Sequence, residues 1–370
     1  MDGQTGEAYD PLMRAIVLVG GEGTRLRPLT WRTAKALVPV LNRPLLDHLL
    51  LNLRDHGITR VTLALTKRNE AIRAAFGDGS RLGLSVDYAY EDTPLGSGGA
   101  IASIATGWDE TFLVCNGDII TSLDISAMIQ AHRAHGAELS ISLHRVDDPS
   151  PFGVVEIEPG GRILRFVEKP KREEAPSDLI NSGTWLFEPS LLAQMDGTTF
   201  NRVEDTLFPA LCAAGRPVYG FPAPSVMARA DWSPSYWADV GNPAALLRVN
   251  LDMVTGALPD RLPDPAPVDG VLLGEGVTVA ADAAVRGPAV IGAHSRIESG
   301  AQVSGSVLWD RVVVGPGARV SGSTLASGVH VGAGAVVEDS VVAHGAQIAP
   351  NARVERATIE PAAVTEANAR

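Results

Sequence analysis

Apolar positions along this chain follow two different periods. Between residues 14 and 250, short β-rich runs alternate with longer amphipathic stretches. RAIVLVG (14–20), RVTLALT (60–66), LSVDYAY (84–90), TFLVCNGD (111–118) and ELSISLHRV (138–146) read as strands, and residues 43–56, 67–76 and 125–135 read as helices. Such alternation predicts an α/β domain, a Rossmann-like and mainly parallel sheet with helices on both faces. Ligands on such sheets bind beyond the carboxyl ends of the strands, so the residues that follow strand ends carry the most information.

Farther along, aliphatic residues recur every six positions. Val279, Val285, Ile291, Ile297 and Val303 set the register; after a slip it resumes at Leu308, Val314 and Val320, then at Val331 and Val337, and finally at Val342, Ile348 and Val354. Small residues, often Gly or Ala, sit just after each aliphatic position. This period predicts a parallel β-helix with one hexapeptide per face, about four to five coils if three hexapeptides make a turn. The repeat resembles the left-handed hexapeptide β-helix family, which implies a left-handed coil. The stretch 251–270 has four prolines and no period, which is the composition of a linker. The expected organisation is a flexible tail over 1–13, with Met13 as an alternative start, the α/β domain over 14–250, the linker over 251–270, the β-helix over 271–356 and a C-terminal tail over 357–370.

Composition narrows the classes. Hydrophobic residues make up 45% and charged residues 20% of the chain, a globular balance. The net charge of −12 argues against nucleic acid or an anionic membrane as partner, since either needs a basic surface. No apolar run approaches the roughly 20 residues needed to span a bilayer. The polar, acidic N-terminus reads as neither a signal peptide nor a presequence. Cys115 and Cys212 are the only cysteines, giving no disulfide framework and no metal-ligand spacing, so a reducing, cytoplasmic setting is expected.

The strongest local signal follows the first strand, where the chain reads Gly20-Gly21-Glu22-Gly23-Thr24-Arg25-Leu26-Arg27-Pro28-Leu29-Thr30. Glycines let a backbone approach a ligand closely and aim N–H groups at phosphate oxygens, and two arginines add permanent charge. The turn is neither a G-x-G-x-x-G dinucleotide fingerprint nor a P-loop. Taken alone, it is equally a tight strand-to-helix turn with solvated arginines.

The turn resembles the G-G-x-G-T-R-L-R-P-L-T signature of the sugar-phosphate nucleotidyltransferases, and Lys35 stands at that family's lysine position. Further matches follow in the family's order: Gly77-Asp78-Gly79-Ser80-Arg81-Leu82-Gly83, Glu91 with Pro94-Leu95-Gly96, Asn116-Gly117-Asp118, Gly153-Val154-Val155, Phe166-Val167-Glu168-Lys169-Pro170, Asn181-Ser182-Gly183 and Trp237-Ala238-Asp239-Val240-Gly241. The resemblance spans nearly all of residues 14–250. It implies transfer of a nucleotidyl group from a nucleoside triphosphate to a sugar 1-phosphate, with pyrophosphate released. By the same resemblance the Gly20, Gly21 and Gly23 backbone, Thr24 and Arg25 hold the triphosphate, Lys35 steadies the reacting phosphates, and Glu91 and Gly96 line the nucleotide. Asp118 and Asp239 match the pair that holds Mg²⁺. Glu168, Lys169, Asn181 and the Gly153 backbone match the sugar-phosphate contacts, a division that suits a carboxylate for hydroxyls and an ammonium for phosphate.

Base and sugar rest on finer features. The segment from Glu91 to Ala100 is similar to the E-x-x-P-L-G-T-A-G segment of mannose-1-phosphate guanylyltransferases. A carboxylate there suits guanine, whose Watson–Crick edge offers two adjacent donors, and disfavours uracil and thymine, which offer one donor between two acceptors. Phe208-Pro209 after Val203-Glu204-Asp205 and the appended repeats also resemble the short GDP-mannose pyrophosphorylases. Gly98-Gly99 instead resembles heptose-1-phosphate nucleotidyltransferases, and Ala34 and Ala36 replace prolines that commonly flank the lysine. GTP with mannose 1-phosphate is therefore the expected pair. Heptose- or glucose-1-phosphate nucleotidyltransferases using GTP, UTP, dTTP or ATP are the alternative, and a non-catalytic NDP-sugar-sensing subunit is the alternative of another class.

The repeats carry two readings. They form an assembly surface, giving a homo-oligomer, or they house acyl transfer with His294, His330 or His344 as base, although no acyltransferase motif accompanies them. His48, His56, His132 and His135 have no matching partners and read as helical surface. Cys115 reads as a small core residue.

Overall fold

The computed structural model describes residues 13–66, 70–228 and 233–365. The tail expected over 1–13 therefore lies, up to residue 12, outside the described residues, as do residues 67–69 of the expected 67–76 helix and residues 366–370 of the expected C-terminal tail. The chain divides into two compact units, one of residues 1–20 and 49–237, the other of residues 21–48 and 238–370.

The first unit is built on a nine-stranded sheet. Its strands are β1 (Arg14–Leu18), β2 (Arg60–Thr66), β3 (Ser85–Glu91), β4 (Phe112–Asn116), β5 (Leu139–Arg145), β6 (Gly153–Ile157), β7 (Ile163–Glu168), β8 (Leu179–Phe187) and β9 (Val218–Phe221). They run in the order β7-β6-β8-β4-β1-β2-β3, with β5 added on β8 and β9 on β5. The parallel arrangement expected from the alternation holds for β4-β1-β2-β3 and for the β5–β9 pair. The rest is antiparallel, because β8 returns against β4, β5 and β6, and β7 pairs back on β6. The sheet is thus mixed rather than mainly parallel. From β5 to β8 the strands follow one another through short connections, whereas parallel neighbours need a long crossover.

Helices join the parallel half. Glu70–Phe76 separates β2 from β3, Gly96–Ile104 separates β3 from β4, and Ile125–His135 separates β4 from β5. The last begins where the Asp124 carboxylate accepts from the Ala127 N–H at 2.9 Å, and ends at Gly136 with φ 55. Such caps satisfy backbone groups the helix cannot pair itself. The core is aromatic: Phe112 stacks on Phe187 at 5.5 Å, and Phe208 meets Trp185 and Phe166 edge-on at 5.3 Å. Cys115 is buried, as its apolar strand implied, and burial pushes its thiol pKa up to about 12.

Two histidines read as surface are buried instead. His132 is 2% exposed, with Nδ1 on the Ser140 hydroxyl at 2.8 Å and Nε2 on the Glu188 carboxylate at 3.1 Å. Burial lowers its pKa, with Glu188 pulling the other way. His48 is 3% exposed, its Nε2 donates to the Val40 carbonyl at 3.0 Å, and burial takes its pKa down to about 4. Both are polar positions on the inner face of a helix whose partner groups lie outside that helix. His135 is exposed, stacked 4.3 Å from Tyr219, and His56 is half-buried against Ser126.

In the second unit the helix Pro243–Val254 leads into stacked parallel strands. Val303, Val320, Val337 and Val354 pair in one column, Ile297, Val314, Val331 and Ile348 in another, and Leu308, Leu325 and Val342 in a third. All lie in one continuous apolar core. Successive coils are seventeen residues apart, so two faces take six residues and the third takes five. The slips in the six-residue register are these short faces, and Leu325 fills the place the register left open. The first coil is one residue longer, with its register shifting between Arg286 and Ala289.

A serine completes three successive short corners. Ser306, Ser323 and Ser340 are buried, and each hydroxyl accepts the backbone N–H of the next coil, from Ser323, Ser340 and Ala357 at 3.0–3.1 Å. Each also donates within its own coil, to the carbonyls of Ser304, Ser321 and Glu338. The residues just before them, Gly305, Gly322 and Asp339, are left-handed, with φ of 56, 58 and 46. Coil strands continue through Thr358–Ile359 and Val364–Thr365, beyond residue 356 where the six-residue register was taken to end. Among the described residues, no helix is long and apolar enough to cross a membrane.

Candidate functional site

In the first unit the motif residues stand at strand ends. Asp118 follows β4 through Gly117, whose N–H donates to the Leu18 carbonyl at 2.9 Å. A Cβ on Gly117 would lie 2.3 Å from Val19 Cγ1, so only glycine lets the Asp118 turn pass so close to β1. Asn116, at the end of the same strand, packs against Gly183 of β8, where an added Cβ would sit 2.9 Å from its Nδ2. Asn181, two residues earlier on β8, accepts with Oδ1 from the Gly183 N–H at 3.0 Å and the Trp185 indole N–H at 2.7 Å. Two donors on that oxygen orient the amide and leave Nδ2 to donate outward.

Glu91 closes β3. One carboxylate oxygen accepts from the Leu95 N–H at 3.0 Å, and burial pushes the pKa up, offset in part by that N–H. Gly96, with φ 71, then opens its helix directly against the Asn201 backbone, and its Cβ would come 2.4 Å from the Asn201 carbonyl oxygen. Gly98 and Gly99 donate their N–H groups to that same carbonyl. The Asn201 side chain fills the place of a Gly98 Cβ, which accounts for the glycine there in packing terms.

Glu168 ends β7 opposite Gly153 of β6. A Cβ on Gly153 would lie 2.4 Å from the Phe166 ring and 3.0 Å from a Glu168 oxygen, so glycine lets the carboxylate lie across that backbone. Glu168 is held by Arg202 at 3.0 Å and Lys169 at 3.3 Å. Lys169 itself has φ 45, its N–H bonded to the Phe152 carbonyl. Arg202 is a residue the sequence reading passed over. Burial works against its charge, but Glu204, Glu168 and Asp205 outweigh that and raise its pKa. Its signal was the acidic pair Glu204-Asp205 two residues on, which carries no meaning until Glu168 is brought alongside.

The second unit holds the rest of the signature. Gly23 has φ 63 and caps a 3₁₀ turn over Thr24–Leu26. Its carbonyl accepts from the Thr30 hydroxyl at 2.7 Å, and its α-carbon faces Lys35 and Thr30, each 3.1 Å from an added Cβ. Gly21 faces open space with nothing within 4 Å, so no packing within the protein calls for a glycine there. Arg25 and Asp239 both flank Gly241, whose missing Cβ leaves 3.2 Å to the Arg25 guanidinium and to both Asp239 oxygens. Gly20 lies at the end of β1 in the first unit, half-exposed.

The three β-helix histidines are in unlike settings. His294 and His330 are exposed. His344 is half-buried, with Nε2 3.2 Å from the Leu29 carbonyl and 3.1 Å from the Thr33 hydroxyl, and with the Trp309 ring edge-on at 5.3 Å. Burial lowers its pKa, the Leu29 carbonyl raises it and Arg32 lowers it. A carbonyl only accepts, so the neutral ring carries its proton on Nε2. That nitrogen is engaged in structure rather than presented as a base.

Comparison with known proteins agrees with this arrangement. Residues 14–256 match the nucleotidyl transferase family model, and residues 268–369 match the GMPPB C-terminal domain. A mannose-1-phosphate guanylyltransferase of Mycobacterium tuberculosis is 36% identical over 303 residues, covering 81% of this chain and 80% of that protein. A UTP–glucose-1-phosphate uridylyltransferase of Synechocystis is 30% identical over 328 residues, covering 82% and 84%. Among solved structures, HddC from Yersinia pseudotuberculosis superposes with a TM-score of 0.54 at 25% identity, covering 65% of this chain and all of that one. With motif residues along a Rossmann-like sheet in one unit and stacked parallel coils in the other, and with the family model matched over residues 14–256, the chain belongs to the nucleotidyl transferase family.

Proposed function

We propose that this enzyme joins mannose 1-phosphate and GTP, giving GDP-mannose and pyrophosphate. The observation that carries the base is Glu91, a half-buried carboxylate closing β3, with one oxygen on the Leu95 N–H. Its remaining capacity suits the paired N1–H and 2-amino donors of guanine and repels the carbonyls of uracil or thymine. The guanylyltransferase relative supports the same pair.

A phosphate oxygen of the sugar 1-phosphate attacks the α-phosphorus in line, and the bond from that phosphorus to the α,β-bridging oxygen breaks, its electrons leaving with pyrophosphate. No covalent enzyme intermediate is needed, so positioning and charge neutralisation supply the rate. The Gly20, Gly21 and Gly23 backbone, Thr24 and Arg25 would hold the triphosphate, Gly96 would lie beside the nucleotide, and Lys35 would meet the reacting phosphates. Glu168 would accept from sugar hydroxyls, Asn181 would donate to one through Nδ2, Gly153 would leave room, and Lys169 would meet the sugar phosphate. Asp118 and Asp239 are hard carboxylate donors of the kind Mg²⁺ takes, and would hold it together with phosphate oxygens and water. When bound, the ion offsets triphosphate charge. The same reading places the enzyme in the cytoplasm, with two buried free cysteines, and as a homo-oligomer through the β-helix.

The test is pyrophosphate release with Mg²⁺, crossing GTP, UTP, dTTP, ATP and CTP with mannose, glucose and heptose 1-phosphates. Preference for GTP with mannose 1-phosphate supports the proposal. Preference for another pair overturns the specificity, and no turnover with any pair favours an NDP-sugar-sensing subunit.

A further inference from the structure

The segment that carries Gly21, Gly23, Arg25 and Lys35 belongs to the same compact unit as the β-helix. It is fastened there at several points. His344 meets the Leu29 carbonyl and the Thr33 hydroxyl, the Trp31 indole N–H donates to Glu360 at 3.1 Å, and the Asn42 side chain donates to the Ile291 carbonyl at 3.0 Å. The His344 contacts lie nearest the chemistry. Leu29 precedes Thr30, whose hydroxyl holds the Gly23 carbonyl, and Thr33 lies two residues before Lys35, which packs on Gly23. Ala34 and Ala36 give this stretch no proline restraint, so its shape depends on such contacts.

The coil position is itself telling. Backbone bonds stack Asp310, Ser327 and His344 in successive coils. In its own coil Asp310 takes the ordinary role, accepting the Ala293 N–H of the coil before it at 3.0 Å. At His344 the same turn carries a ring long enough to leave the β-helix and reach the signature segment, and Trp309 backs it.

We infer that His344 is a positioning residue for nucleotidyl transfer: from the β-helix it holds the Leu29–Thr33 turn, and through Thr30 it sets Gly23 and Lys35 for the triphosphate. The catalytic part of this inference rests on the function proposed above; the mechanical part does not. The β-helix is then part of the reaction machinery, beyond any role in assembly.

Two variants of the full chain test it, His344→Ala and His344→Gln, the second keeping a donor at about the Nε2 position. In the Ala variant, amide hydrogen exchange over residues 21–35 should quicken about five- to tenfold, the loss of roughly one hydrogen bond, while the Val331 and Ile348 strands keep their protection. The Gln variant should stay near wild type. In turnover assays the Ala variant should show a severalfold higher KM for the nucleotide and a lower kcat, with KM for the sugar phosphate unchanged and Gln restoring both. Unchanged exchange in the Ala variant, equal damage in both variants, or a loss of active fraction with every KM preserved would each overturn the inference. A wild-type protein without turnover overturns the proposed function, and the exchange comparison still decides whether His344 holds the segment.

Discussion

The α/β sheet and the β-helix place special residues by opposite rules. In the sheet every strand end is different, and a glycine stands where the backbone passes close to some other group: Gly117 against the Val19 side chain, Gly153 against the Phe166 ring and Gly96 against the Asn201 carbonyl. In the β-helix the same corner recurs every seventeen residues, and the same solution, a buried serine bonded to the next coil, recurs with it. A sheet offers many unlike sites, each used once, whereas a solenoid repeats one site and spreads its stability along the stack. Chemistry therefore gathers at the strand ends, and within the repeat a departure such as His344, in a turn that elsewhere holds Asp310 and Ser327, points to a task other than stacking.

Substitutions that strike one rule and spare the other probe this contrast. The largest expected effect is on chemistry alone. Asp118→Asn keeps shape and hydrogen-bonding size while removing a carboxylate charge, so magnesium-dependent pyrophosphate release should fall about a hundredfold or more, with thermal unfolding nearly unchanged. A near-normal rate would remove Asp118 from the metal site.

Next comes the one-off glycine. Gly96→Ala sets a Cβ 2.4 Å from a backbone carbonyl at φ 71, so the first unit should lose about 2–4 kcal/mol in denaturant unfolding. Gly21→Ala, into open space, should leave stability within about 0.5 kcal/mol. Equal effects from the two would mean that close approach does not explain these glycines.

A smaller loss than that of Gly96→Ala belongs to the repeat. Ser323→Ala leaves the buried Ser340 N–H without its acceptor, a cost of about 1–3 kcal/mol. Hydrogen exchange should quicken around Ser340 and leave distant coils protected. A uniform change across the β-helix would replace the picture of independent corners with one cooperative block.

Most of the architecture was legible because it is periodic. Alternating strands and helices, and then a six-residue aliphatic period, are local patterns that packing on one face imposes on any sequence adopting these elements. The motif residues were legible for a related reason, since each motif is a run of a few neighbouring residues, several of them at the end of a strand. The return of β8 between β4 and β5 left no such trace, because strand direction depends on connections rather than on the side-chain pattern. Nor did the five-residue corners, which broke the register without showing that a serine and a left-handed turn take up the missing residue.

What the sequence by itself determined was the pair of architectures and the short segments that carry chemistry, since period and motif are properties of neighbouring residues. The tertiary structure alone decided which distant groups meet: Arg202 with Glu168, Asn201 in the space of Gly98, His132 with Glu188, and His344 with Leu29 and Thr33. A hydrogen bond or an ion pair between residues tens to hundreds of positions apart imposes no spacing on the chain. Each partner keeps the appearance of an ordinary surface residue until folding removes it from water and makes the other its only adequate replacement.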